Sequence, residues 1–215
     1  MKKIYILPLL GLLFIACETK QKDTLQEQVE EDVEKVVETK TGKEIGARIF
    51  WNTLKSYCGK AFEGEVIKAP ENDDFRGKKL VMHLLSCSDN EIYIPFNVGE
   101  NRSRTWVLRY IEGKIELKHD HRLEDGSDDE VTMYGGTTTN IGLPDIAAFP
   151  ADEETRKIIP AAATNVWWIT IKDSVYTYNL RRLGTDREFS IAFDLTKNVE
   201  IPEPSWGWED YSKNL

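Results

Sequence analysis

The 215-residue chain is short of several things. No apolar run reaches the roughly 18 residues that a membrane-spanning helix needs. Basic charge is in deficit: 28 Lys and Arg against 37 Asp and Glu leave a formal net charge of −9. That argues against nucleic acid as a partner, because phosphates need a basic footprint. Histidine is rare, three in all, and no H-E-x-x-H run exists, so a helix-borne zinc site of that kind is excluded. The G-x-S-x-G elbow, the P-loop and G-x-G-x-x-G are also missing, and with them the common nucleophile, nucleoside-triphosphate and dinucleotide sites. There is no internal repeat. What remains is 40% hydrophobic, enough for a core in one domain plus extensions.

Lys2 and Lys3 precede a largely apolar stretch, Ile4 to Ala16, too short to span a bilayer and suited to a signal h-region. It ends Phe14-Ile15-Ala16-Cys17. This resembles the lipobox of bacterial lipoprotein signals, with Phe14 where Leu is usual. The resemblance implies cleavage before Cys17, lipid on its sulfur and a membrane anchor in the cell envelope. Glu18, rather than Asp, points to the outer membrane by the same likeness. The other reading is an ordinary secretory signal with Cys17 a bystander. If Cys17 is acylated, Cys58 and Cys87 remain as an even pair in an oxidising compartment. A disulfide between them is expected; the alternative is two buried free thiols.

The resulting division is a signal peptide at 1–16, a lipidated N-terminus and acidic linker at 17–44, a β domain at 45–199 and an aromatic tail at 200–215. Residues 18–44 hold nine acids, five bases and no aromatics. Leu25, Val29 and Val33 repeat there at helical spacing, so the segment is either a short helix or a disordered spacer. Ile45 to Tyr57 has an amphipathic helical pattern, with Ile45, Ile49, Phe50, Leu54 and Tyr57 on one side.

Beyond it the period falls to two. Strands are predicted at Phe62–Ile67, Lys79–Ser86, Glu91–Asn97, Arg102–Ile111, Lys114–Arg122, Glu130–Tyr134, Asn165–Ile171, Val175–Arg182 and Arg187–Leu195. Short turns such as Ser88-Asp89-Asn90, Glu112-Gly113 and Gly184-Thr185-Asp186 separate them. This predicts a mainly β fold, an antiparallel meander. Closure into a barrel of eight to ten strands with an N-terminal helix removes the edges, and the order resembles lipocalin-like barrels. A sandwich or an open curved sheet is the alternative. Residues 135–164 interrupt the meander, with a flexible polar stretch from Gly135 and a short helix from Asp152 to Ile159 before Pro160.

The run Lys118-His119-Asp120-His121-Arg122, the Asp125-Gly126 turn and Tyr134-Gly135-Gly136-Thr137 together resemble a signature of small exported bacterial proteins. The resemblance implies a coherent exported domain and no particular activity. Asp125, Ser127 and Asp129 alternate like a calcium loop, but Glu130 and Gly136 stand where an EF-hand needs Gly and Glu, so a plain turn is predicted.

Alternation places Lys114, Glu116, Lys118, Asp120 and Arg122 on one, wet face of their strand. It places Ile115, Leu117, His119, His121 and Leu123 on the other. Two inward histidines two residues apart are either satisfied core groups, part of a ligand pocket, or ligands for one metal ion, with His83 as a third donor. That metal is the only cofactor the residues suggest. Arg104 shares a face with Trp106 and is the best inward arginine. Arg102, Arg109, Arg181, Arg182 and Arg187 either face an anion or form surface ion pairs.

The candidate ligand-binding set is His119, His121, Arg104, Trp106 and Tyr134. Three functions follow: an envelope lipoprotein binding a small or lipid-like molecule in its barrel, a metal-dependent enzyme using His119 and His121, or a protein-interaction module with a site near Trp206 and Trp208. The first is the leading expectation.

Overall fold

A computed structural model describes residues 46–212. The signal, Cys17, the linker and Ile45 lie outside the described residues. Helix α1 (46–55) comes first. Eleven strands follow: β1 (Ala61–Lys68), β2 (Leu80–His83), β3 (Ser86–Cys87), β4 (Glu91–Val98), β5 (Asn101–Ile111), β6 (Lys114–His121), β7 (Tyr134–Thr137), β8 (Ile146–Pro150), β9 (Asn165–Lys172), β10 (Val175–Arg182) and β11 (Glu188–Val199). Helix α2 (Glu153–Ile158) and a 3-10 turn at Pro160–Ala162 link β8 to β9, and α3 (Glu209–Ser212) follows the sheet.

All strand pairs are antiparallel, in the order β7-β6-β5-β4-β2-β1-β11-β10-β9-β8, with β3 on β4 off this path. The first long strand, β1, is hydrogen-bonded to the last, β11, so the meander comes round on itself. The one seam lies between β7 and β8. There the Asp152 N–H donates to the Gly135 carbonyl at 3.0 Å. The result is mainly β, a nearly closed barrel, as the alternation predicted.

Inward residues alternate as the pleat requires. On β9 they are Asn165, Trp167, Ile169 and Ile171; on β11, Phe189, Ile191, Phe193 and Leu195. Ala47, Phe50, Trp51 and Leu54 of α1 are buried in the same core. Ile49, expected on that apolar side, is 42% exposed, and Trp51 takes its place at 0%. A disulfide joins Cys58, just after α1, to Cys87 on β3.

Several boundaries differ from the sequence pattern. Glu130–Tyr134 is not a strand. The chain is irregular until Tyr134, Met133 taking a positive φ of 55°, and β7 runs through the glycines that composition marks as flexible. Contact explains this. A Cβ on Gly135 would sit 1.8 Å from the Leu117 carbonyl oxygen, and one on Gly136 would sit 1.8 Å from that of Pro150. Only glycine lets the β7 backbone pack so closely to β6 on one side and, at the seam, to β8 on the other. Strand β8 lies inside the interruption where none was expected, and its final Pro150 suits a strand end with no donor to give. The 79–86 strand divides into β2 and β3. Helix α2 matches its prediction, the Asp152 carboxylate capping it by accepting from the Thr155 N–H at 2.7 Å.

The charged face of β6 is wet at Lys114 but not along its length. Lys118 is 5% exposed and Asp120 3%. The Lys118 ammonium reaches Asp152 at 2.9 Å and Glu154 at 2.6 Å, both at the start of α2. Asp120 accepts from Arg122 Nε at 3.0 Å and from the Trp208 indole N–H at 3.0 Å. Residues 203–208 thus lie on the outside of β4, β5 and β6: Asn97 donates to the Glu203 carbonyl, Ser205 to that of Arg104, and Trp208 packs 4.8 Å from Tyr93. Leu123, expected inside, is 48% exposed beyond the end of β6.

Candidate functional site

Register, rather than sequence proximity, assembles the interior site. Arg104 faces His121 and Trp106 faces His119 across β5 and β6; His119 in turn faces Tyr134 on β7. Tyr178 enters from β10. Its ring stacks on Trp106 at 4.5 Å, and Trp106 stacks on Phe96 at 4.7 Å. This aromatic stack, with Tyr176 and Phe193 against Trp106, fills the middle of the barrel.

The loop at 69–79 supplies Phe75. Its ring lies 5.2 Å from Phe189 and 5.8 Å from Phe96, with the Arg104 guanidinium 5.2 Å from its centroid. Arg76 braces the loop by donating to the Pro70 and Ala69 carbonyls, and the Asp73 carboxylate accepts from the Phe75 N–H at 3.0 Å.

Two chambers share Phe75, Tyr134 and Tyr178 as walls. The inner one, about 70 Å³, adds Arg104, Trp106, His119 and His121. The outer one, about 310 Å³, adds Asp73, Asp74, Asn165, Trp167, Leu180, Arg182, Arg187 and Phe189, with Ile159 and Ala162 from the segment before β9. The outer volume is at the lower bound for small-molecule sites, roughly 300 Å³.

Hydrogen bonds define the histidine states. His119 Nδ1 is 3.0 Å from the Tyr134 carbonyl oxygen, which can only accept, so Nδ1 carries the proton. Nε2 therefore accepts from the Tyr178 hydroxyl at 2.7 Å. Burial pushes this imidazole down to about 3. His121 Nε2 is 3.2 Å from the Tyr134 hydroxyl, and burial together with the Arg104 charge lowers it to about 4. Burial raises the Tyr134 phenol to about 12 against the opposing pull of Arg104 and Arg187, and it raises Tyr178 well above the usual phenol range. Near neutral pH all four groups are uncharged. None has the near-neutral pKa that efficient general acid–base catalysis requires.

His83 stays apart. Leu80, Met82 and Leu84 belong to the core, so His83 alternates to the outer face of β2. Among the described residues no group of three or more His, Cys, Asp or Glu is placed to hold a metal ion. A metal at His119 Nε2 would have to displace the Tyr178 hydroxyl.

The arginines divide by face. Arg109 pairs outside with Glu91 at 3.2 Å and Glu116 at 3.0 Å, Arg181 pairs with Glu188, and Arg102 donates to the Pro204 carbonyl at 3.0 Å. Arg104, Arg182 and Arg187 line the chambers, and among the described residues none of the three forms a carboxylate ion pair. Arg182 Nε is held at 2.9 Å by Asn165 Oδ1.

The sequence set of Arg104, Trp106, His119, His121 and Tyr134 is thus brought together, and His83 is not. Tyr178, Trp167 and Phe75 were not in that set. Tyr178 had a signal, since Tyr176, Tyr178, Leu180 and Arg182 alternate on β10. Phe75, in a polar loop, had none. No protein-family model matches the chain, and neither a curated protein nor a solved structure shows significant similarity to it.

Proposed function

We propose that this is a lipid-anchored protein of the bacterial cell envelope whose barrel mouth binds a small molecule bearing negative charge. The N-terminal motif ending at Cys17 supports the anchor. One observation carries the binding reading: a chamber of about 310 Å³, walled by aromatic rings, is lined by arginines without carboxylate partners, in a chain of net charge −9. Arg182 is half-buried and Arg187 exposed at the chamber rim, and Asp73 and Asp74 share the lining without pairing with either, so both guanidinium forks are free to make charge-assisted contacts with a bound anion.

The filled middle of the barrel favours a compact ligand over a long acyl chain. The uncharged His119, His121, Tyr134 and Tyr178 support binding rather than proton transfer. The tail is occupied with its own barrel through Trp208 and Asp120, which weakens the reading of that tail as a partner site.

Native mass spectrometry of protein released from envelope membranes tests the binding reading. A discrete adduct, lost on denaturation and of organic rather than metal mass, is the expected result. A stoichiometric metal mass would replace this reading with the histidine–metal one. Cys17→Ser should release the protein from the membrane fraction; retention there would end the lipid-anchor reading.

A further inference from the structure

We infer that the ligand is a compact aromatic monocarboxylate, its carboxylate held between Arg182 and Arg187 and its ring against Trp167 and Tyr178. This rests on the barrel mouth being the binding site.

The head group follows from the two arginines. Both line the outer chamber, and Asn165 engages Arg182 through Nε, leaving the terminal nitrogens without a carboxylate partner among the described residues. Partial burial first, and then the nearby Arg187 charge, disfavour the charge on Arg182. An anion between them relieves that repulsion. A planar fork of donors matches a planar carboxylate in a bidentate pair.

The charge number follows from Asp73 and Asp74, which line the same chamber. They would repel the second charge of a phosphate dianion. With Arg104 of the inner chamber the linings hold three arginines and two aspartates, so one negative charge is what the two chambers together balance.

The body follows from shape and wall chemistry. Trp167 is 2% exposed, Tyr178 is buried, and Phe189 and Phe75 add further rings. Stacked rings favour a flat π-system over a flexible chain, which also loses rotamer entropy on binding. Below, the Phe96–Trp106–Tyr178 stack leaves only the small inner chamber, so a long alkyl tail has no channel to enter.

Titration calorimetry with the full-length protein tests this, using indole-3-acetate, its neutral amide and octanoate. The acid should bind about tenfold or more tighter than the amide, the step expected for one charge-assisted contact. Arg182→Gln and Arg187→Gln should each weaken it by about tenfold, with unchanged melting temperature. Arg181→Gln, on the outer face, should bind as the parent does. If the amide binds as tightly as the acid, the carboxylate assignment is overturned while the mouth remains a binding site. Octanoate binding more tightly than indole-3-acetate overturns the aromatic assignment in the same way. No heat from any of the three at millimolar concentration removes both this inference and the binding reading beneath it.

Discussion

The Tyr178 hydroxyl donates to His119 Nε2 at 2.7 Å, across 59 residues of sequence and between two strands that are not neighbours in the sheet. Both groups are buried. Tyr178→Phe leaves a buried imidazole nitrogen unsatisfied and should lower stability by about 1–3 kcal/mol in urea unfolding. Adding His119→Phe removes the orphan, so the double variant should lose less than the sum of the singles. Strict additivity would show that the bond contributes no coupling.

Stability should fall with acid above the range where carboxylates titrate. His119 and His121 have folded values of about 3 and about 4, below the ordinary histidine value of 6.5. As pH drops through 6.5 the unfolded chain takes up protons that the folded chain refuses. Their contribution is therefore complete above about pH 6.5 and declines below it until the folded groups titrate. By about pH 5 each should have lost about 2 kcal/mol relative to neutral pH. The unfolding free energy measured from neutral to about pH 5 checks this. His119→Gln and His121→Gln should each flatten the slope, and a parent protein with no slope would contradict the burial of both imidazoles.

Tyr176 carries a different prediction. It is 0% exposed, and its hydroxyl has no partner among the described residues. Burial alone raises its pKa. Tyr176→Phe deletes a desolvated polar atom and keeps the ring packed on Phe193, so stability should rise by about 1 kcal/mol. A melting temperature that drops instead would reveal a hydrogen bond to that oxygen, such as one from an enclosed water.

The Cys58–Cys87 bond closes a separation of 29 residues and ties the end of α1 to β3. In the chain-entropy account such a loop contributes about 3–4 kcal/mol. Cys58→Ser with Cys87→Ser should lower the unfolding free energy by that amount and the denaturant midpoint with it, and reductant should have the same effect on the parent. A midpoint unmoved by reductant would mean that the bond does not form in the native protein.

Much of the fold was legible because its signals are local. Period-two alternation identified β1, β4, β5, β6, β9, β10 and β11 within a few residues, and hairpin chemistry set their order. It also turned His119, His121, Arg104 and Trp106 inward. The signal failed where neighbours in space, not in sequence, set the backbone. Gly135 and Gly136 read as flexible, yet they are strand because Leu117 and Pro150 come too close for any Cβ. Lys118 and Asp120 read as wet, yet α2 and Trp208 cover them with partners that neutralise burial.

The sequence by itself determined which side chains each strand turns inward, because side-chain direction follows from the pleat of one strand alone. Tertiary structure decided which of them meet. Tyr178 against His119, Phe75 in the mouth, and Arg182 sharing a chamber with Asp73 all depend on barrel closure through β1 and β11, a contact between the two ends of the domain that no local periodicity encodes.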